Sequence, residues 1–159
     1  MHVGLRLHGL RPLERLHRLG VLGPGLIGVH AAHLEADEIR LLVKFDCSIA
    51  HCPSSNMKLG SGIAPIVAML EQGLRIGLGT DGAASINRLD IFQEMRQSAL
   101  LAKAVSGNAA AVGAHDVLRM ATLNGAAALG LADKIGSIRT GKAADMCAVC
   151  LDTDRKSVV

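Results

Sequence analysis

Asp81 is the residue around which chemistry could be arranged. It lies in Arg75-Ile-Gly-Leu-Gly-Thr-Asp-Gly-Ala-Ala-Ser85, just past a short apolar run and inside a glycine-rich turn. A carboxylate presented there can ligate a metal or accept a proton. Two imidazoles occupy comparable places: His30 follows Leu26-Ile-Gly-Val29, and His51 follows the run Phe45–Ala50. Histidines and an aspartate at successive strand ends could bind or assist a divalent metal whose water is activated for hydrolysis, with Asp81 taking the proton. Asn56 and Lys58 could order the next loop against a substrate. Each also has a structural reading. Asp81 can be a turn former, His30 and His33 core or interface histidines, His51 a brace for the loop at Pro53, and Asn56 and Lys58 plain loop or surface residues.

Gly77, Gly79 and Gly82 satisfy the spacing G-x-G-x-x-G of a dinucleotide site. The fit is poor. Asp81 would stand among the amides meant to cradle a pyrophosphate, and the acid wanted about 20 residues on is missing near Ala102.

Groups so placed need strands to carry them and helices to cover those strands. Leu10 to Leu19 reads as a helix with Pro12 in its first turn, ended by Gly20. Leu26–Val29 is a strand, and Glu35 to Val43 an amphipathic helix that begins with acids. Phe45–Ala50 is a second strand, 52–62 a loop, and Ile63 to Gln72 a helix. The third strand holds Ile76 and Leu78, and a longer helix from Leu89 to Lys103 places Leu89, Phe92, Met95, Ala99 and Ala102 on one face. One or two Ala-rich helices follow between Ala114 and Leu131, then a turn over 135–145 and an apolar strand from Met146 to Leu151. Consecutive strand-helix units predict a parallel α/β fold with His30, His51 and Asp81 on one rim.

The chain has 159 residues, half of them hydrophobic, enough for one domain with a real core. With two Phe and no Trp or Tyr, that core must be built from Leu, Ile, Val, Ala and Met, and base stacking on aromatic side chains is nearly excluded. The net charge of +3 is spread along the chain and makes no nucleic-acid patch. No run of apolar residues reaches the length of a membrane span, and the start lacks a secretory core, so a cytoplasmic location is expected. Cys47, Cys52, Cys147 and Cys150 form no paired framework, and Cys147-Ala-Val-Cys150 reads as structural.

Several stretches together resemble the amidohydrolase superfamily, in the branch of methylthioadenosine and S-adenosylhomocysteine deaminases, also labelled TRZ/ATZ hydrolases. They are His30-Ala-Ala-His33, the stretch from His51-Cys-Pro-Ser-Ser-Asn to Pro65, Gly77-Leu-Gly-Thr-Asp-Gly-Ala-Ala-Ser85, and Leu89-Asp-Ile-Phe-Gln-Glu-Met-Arg96. Ala121–Ala126 and Gly136–Asp145 look like the same branch. The resemblance implies strands six to eight of a (β/α)8 barrel, whose zinc or other divalent metal activates water to displace ammonia from a purine ring. Asp81 matches the metal ligand and proton acceptor, His30 the histidine that orients the bound water or intermediate, and Ser85 a position beside the substrate. His51 and Asn56 match a loop motif of architectural character. Ile86 stands where the branch usually has Asn, so a local change is expected there.

The branch's first-strand His-x-His and fifth-strand His-x-x-Glu have no counterpart in this chain. The resemblance therefore implies a C-terminal portion of a deaminase, inactive alone. Residues 1–134 would be partial barrel, 135–152 the returning strands of a small β domain, and 153–159 a non-native tail. The tail reading rests on Asp154-Arg-Lys-Ser-Val-Val159, which equals a translated sequencing-adapter start. The parent would act on a small-molecule nucleoside, bind neither nucleic acid nor membrane, and could be homo-oligomeric. The alternatives are guanine deamination or s-triazine hydrolysis in the same superfamily, or a non-catalytic remnant or interaction module pairing through its sheet edges.

Overall fold

The computed structural model describes residues 2–149. The chain opens with α1 (His2–His8) and α2 (Pro12–Arg18), the latter begun by a proline whose missing N–H costs nothing at a helix start. β1 (Ile27–Val29) leads to α3 (Ala36–Lys44), where Glu35 and Glu38 close a reciprocal cap. Arg11 anchors the preceding helix to this one, gripping Glu38 through Nε (2.9 Å) and Nη2 (2.7 Å) and Glu35 through Nη1 (2.7 Å).

β2 (Ser48–His51) is followed by α4 (Pro53–Lys58) and α5 (Ile66–Glu71). The expected loop after His51 is thus helical in its first half. The expected helix at 63 starts only after Pro65, because a residue before proline avoids helical backbone. β3 (Arg75–Leu78), the single turn α6 (Ala83–Ile86) and the long α7 (Ile91–Ser106) come next. Asp90 caps α7 by accepting the Gln93 N–H at 3.1 Å, and Gly107 ends it in the left-handed region. α8 (Ala114–Ala121) and α9 (Leu123–Ala128) complete the regular structure of the described residues.

Among the described residues the strands form one parallel sheet in the order β1-β2-β3. Ile49 pairs with Ile76 across its centre, and both are buried with Ile39, Leu42, Met69 and Met120. Each such side chain contributes about 1.5–3 kcal/mol by leaving water. The core is aliphatic, with Met69 and Met120 among it, as the composition predicts; Phe92 is half exposed. α9 lies directly on β3, and the contact depends on glycine. A Cβ on Gly77 would come within 3.1 Å of the Gly125 Cα, and one on Gly79 within 3.2 Å of the Cys52 Sγ. The glycine spacing that mimics a dinucleotide motif is therefore at least partly a packing device.

The face of α7 also differs from expectation. Its buried residues are Glu94, Ser98 and Ala102, while Met95 and Ala99 are only partly buried and Leu89, before the helix, is exposed. Residues 135–149 form turns and then no regular structure, so the strand expected from Met146 is not made over 146–149. Among the described residues no strand lies beside it, and an isolated strand does not persist in water. The rest of that strand, Cys150 and the tail lie outside the described residues. Among the described residues no helix is long and apolar enough to cross a membrane.

Candidate active site

The parallel register brings the strand ends level. Val29 pairs with Ala50 and Ala50 with Gly77, the His30 N–H donates to the Ala50 carbonyl at 3.1 Å, and the Gly79 N–H donates to the His51 carbonyl at 3.0 Å. Beyond these bonds β1 and β3 both turn sharply. His30 (φ 67°) and Asp81 (φ 63°) take left-handed backbone. For a residue with a side chain this costs about 1–2 kcal/mol, and such residues concentrate at functional sites.

The two turns aim His30 and Asp81 at each other, with Nε2 of the imidazole 3.8 Å from Oδ2 of the carboxylate. Neighbouring groups fix both. Asn56 sends its Nδ2 toward the His30 carbonyl (3.4 Å), which leaves its Oδ1 to accept from His30 Nδ1 at 2.9 Å. This assigns a proton to Nδ1, and Nε2 is the nitrogen that faces Asp81. Asp81 accepts from the Ser55 hydroxyl at 2.6 Å through Oδ2 and from the Gly82 N–H at 2.7 Å through Oδ1. These two bonds, in that order, hold its carboxyl below the usual range against the opposing effect of burial, with smaller help from the Ser85 hydroxyl and His30. The carboxylate is thus ionised and ready to bind a cation or accept a proton.

Cys52 lies close by but contributes no thiolate. Burial, reinforced by the Asp81 and Glu94 carboxylates, pushes its thiol up to about 11. Lys58 ties the end of α4 to the turn after Asp81, donating to the Ala84 carbonyl (3.0 Å) and Asn87 Oδ1 (2.6 Å). Ile86, the last residue of α6, is buried, so the local change at this position is an apolar anchor for that turn.

His51 is placed elsewhere. It follows Ile49 by two residues along β2, which turns its side chain to the same, helix-covered side of the sheet. There it is 1% exposed and lines a cavity of about 250 Å³ between α5 and α7, with Ile66, Ala102 and Val105 among its walls. Neither ring nitrogen has a hydrogen-bond partner among the described residues. Burial, and secondarily His30, lowers its pKa to about 4, so it is neutral near pH 7. His33 is exposed, and its carbonyl accepts from Arg11 at 2.7 Å.

His30, Asn56, Asp81 and Ser85 therefore come together, and His51 does not join them. Sequence reasoning missed Ser55, although its place beside Asn56 in the matched loop was a usable signal. It also missed Glu94, which nothing in an amphipathic pattern marks. Among the described residues no group of three or more His, Cys, Asp and Glu side chains is placed to hold a metal ion. The donors present fit one carboxylate ligand of a metal, not a complete site.

The chain matches the Amidohydrolase family over residues 5–158. It is 48% identical over 141 residues to 5-methylthioadenosine/S-adenosylhomocysteine deaminase of Teredinibacter turnerae, covering 89% of this chain and 32% of that protein. It is 48% identical over 150 residues to 5'-deoxyadenosine deaminase of Methanothermobacter thermautotrophicus, covering 94% of this chain and 34% of that one. A zinc-bound adenosine deaminase from Xanthomonas campestris superposes with a TM-score of 0.89 at 48% identity, over 91% of this chain and 33% of that chain. The chain thus spans about one third of the length of the curated relatives it matches. A family match over nearly the whole chain, on a parallel sheet that ends in a paired histidine and aspartate, places the chain in the amidohydrolase family.

Proposed function

We propose that this chain is the C-terminal third of a cytoplasmic (β/α)8 amidohydrolase that deaminates an adenosine-type nucleoside, methylthioadenosine or S-adenosylhomocysteine. The observation that carries the reading is the His30–Asp81 pair at 3.8 Å, with the imidazole Nδ1 bonded to Asn56 and the carboxylate held by Ser55 and Gly82. The net reaction adds water to the carbon bearing the exocyclic amine and releases ammonia, so a proton must leave the attacking water and one must reach the departing nitrogen. In this reading Asp81 takes the first. In this reading His30, whose Nε2 faces Asp81, orients the attacking oxygen or the intermediate. Ser85, a turn beyond Asp81, bonds the same carboxylate and in this reading lies beside a polar group of the substrate.

A divalent metal, zinc in this reading, would take Asp81 as one ligand and the rest from outside this chain, and would supply the Lewis acidity that activates water. The 48% identity to relatives named for deaminating adenosine-type nucleosides supports the substrate class.

The test is turnover by the intact zinc-loaded protein that carries this segment, against methylthioadenosine, S-adenosylhomocysteine, guanine and an s-triazine. Conversion of an adenosine-type nucleoside to its inosine form, abolished at least about a thousandfold by Asp81→Asn, is expected. Preferred turnover of guanine or the triazine would reassign the substrate, and an Asp81→Asn protein of full activity would remove the mechanism.

A further inference from the structure

A buried carboxylate stands behind the site with no role in the chemistry just described. Glu94 is 0% exposed on the inner face of α7, where burial of a carboxylate is costly and an apolar residue would pack without that cost. Its Oε2 accepts the backbone N–H of Ser54 at 3.0 Å. Ser54 belongs to the first turn of α4, whose N–H groups have no partner within the helix. With six residues, α4 is too short to hold itself.

The two residues after Ser54 are the ones that touch the site. Ser55 donates to Asp81, and Asn56 holds His30 by both the ring and the carbonyl. Three consecutive residues thus form a bridge, with Ser54 fixed from behind by Glu94 while Ser55 and Asn56 fix the acid and the imidazole in front. We propose that Glu94 is a positioning residue of the active site, acting through the Ser54 N–H on α4 and so on the relative placement of His30 and Asp81. The proposal rests on the deaminase reading only for its catalytic readout.

Reach and charge can be separated here. Glu94→Gln keeps an acceptor oxygen at the same distance and loses the charge, whereas Glu94→Asp keeps the charge and withdraws the oxygen by one methylene. In the intact zinc-loaded protein, two quantities are measured for each: hydrogen exchange of the backbone over 52–59, and kcat and KM for the nucleoside. Glu94→Asp is expected to speed exchange in that segment about tenfold and to lower kcat by a similar factor with KM little changed. Glu94→Gln is expected to match the parent in both.

The reverse pattern, with Gln defective and Asp normal, overturns the proposal in favour of a charge effect. Two normal variants, or two equally defective ones, overturn it as well. If the parent protein deaminates no nucleoside, the functional reading falls, while the exchange comparison still decides whether Glu94 fixes α4.

Discussion

The rim above the strand ends and the layer behind the sheet treat polar groups in opposite ways. On the rim, Asp81 uses both oxygens and His30 uses Nδ1, although the two side chains are 30% and 40% exposed and water could have served them. Behind the sheet, both nitrogens of His51, the hydroxyls of Ser54 and Ser98 and one oxygen of Glu94 are buried without a protein partner among the described residues. Globular proteins ordinarily do the reverse, pairing what they bury. The contrast teaches that the site residues are held by directed hydrogen bonds, from Ser55 and Asn56 of one short helix and from the turn after Asp81, which is the preorganisation that catalysis needs. The His51 ring receives no such bond from a protein group among the described residues.

The largest expected effect tests the unpaired layer. His51 has its pKa lowered from 6.5 to about 4, so below pH 6.5 the unfolded chain binds a proton that the folded chain refuses. Its contribution is fully present above pH 6.5 and is lost as the pH falls toward 4, in all about 3 kcal/mol. His51→Leu should remove that dependence. Denaturant midpoints of parent and variant at pH 7 and pH 4.5 check it, and parallel curves would mean that His51 is solvated or paired.

Next in size is the rim. Ser55→Ala removes the bond that does most to hold the Asp81 carboxyl down, so its pKa should rise toward the ordinary carboxylate value. Any stability from this bond is present above the unfolded-state pKa and disappears as the pH falls through the lowered folded-state value. Carboxyl NMR titration reads the shift directly, and kcat of the intact protein should fall about tenfold. An unmoved Asp81 resonance would show that the Gly82 N–H suffices, and the contrast between the two regions would lose half its content.

The smallest effect concerns the exposed tie at the far end of α4. Lys58→Ala gives up the bonds to Ala84 and Asn87 in the open, which should cost no more than about 0.5–1 kcal/mol by thermal unfolding and leave KM nearly unchanged. A larger loss of activity would mean that the rim depends on both ends of α4 and not on its buried start.

Much of this arrangement was legible in the residues. Apolar runs ended by His30, His51 and Asp81 gave the strands and their parallel order, because buried strands and amphipathic helices have different hydrophobic periods. The short helix at Pro53–Lys58 was not legible, since Pro-Ser-Ser-Asn is equally a turn composition, and tertiary contacts at Ser54, Ser55 and Asn56 decide the matter. The side of the sheet that His51 faces depends on where β2 ends. Read as the residue after the strand it stands on the rim, whereas as the last residue of β2 it shares the side of Ile49. The hydrophobic pattern hid Glu94, because a charged residue on a helix is read as solvated until a buried backbone N–H is known to need it, although its place in the matched stretch Leu89–Arg96 was a usable signal.

The left-handed backbone at positions 30 and 81 carries a consequence for descent. Glycine would occupy either position at lower backbone cost, so what opposes that replacement is the bonds these side chains make to Ser55, Gly82 and Asn56 and the chemistry they serve. In a lineage where the segment survived merely as a folded remnant, these two positions would be among the first to erode, well before the aliphatic core around Ile49 and Ile76.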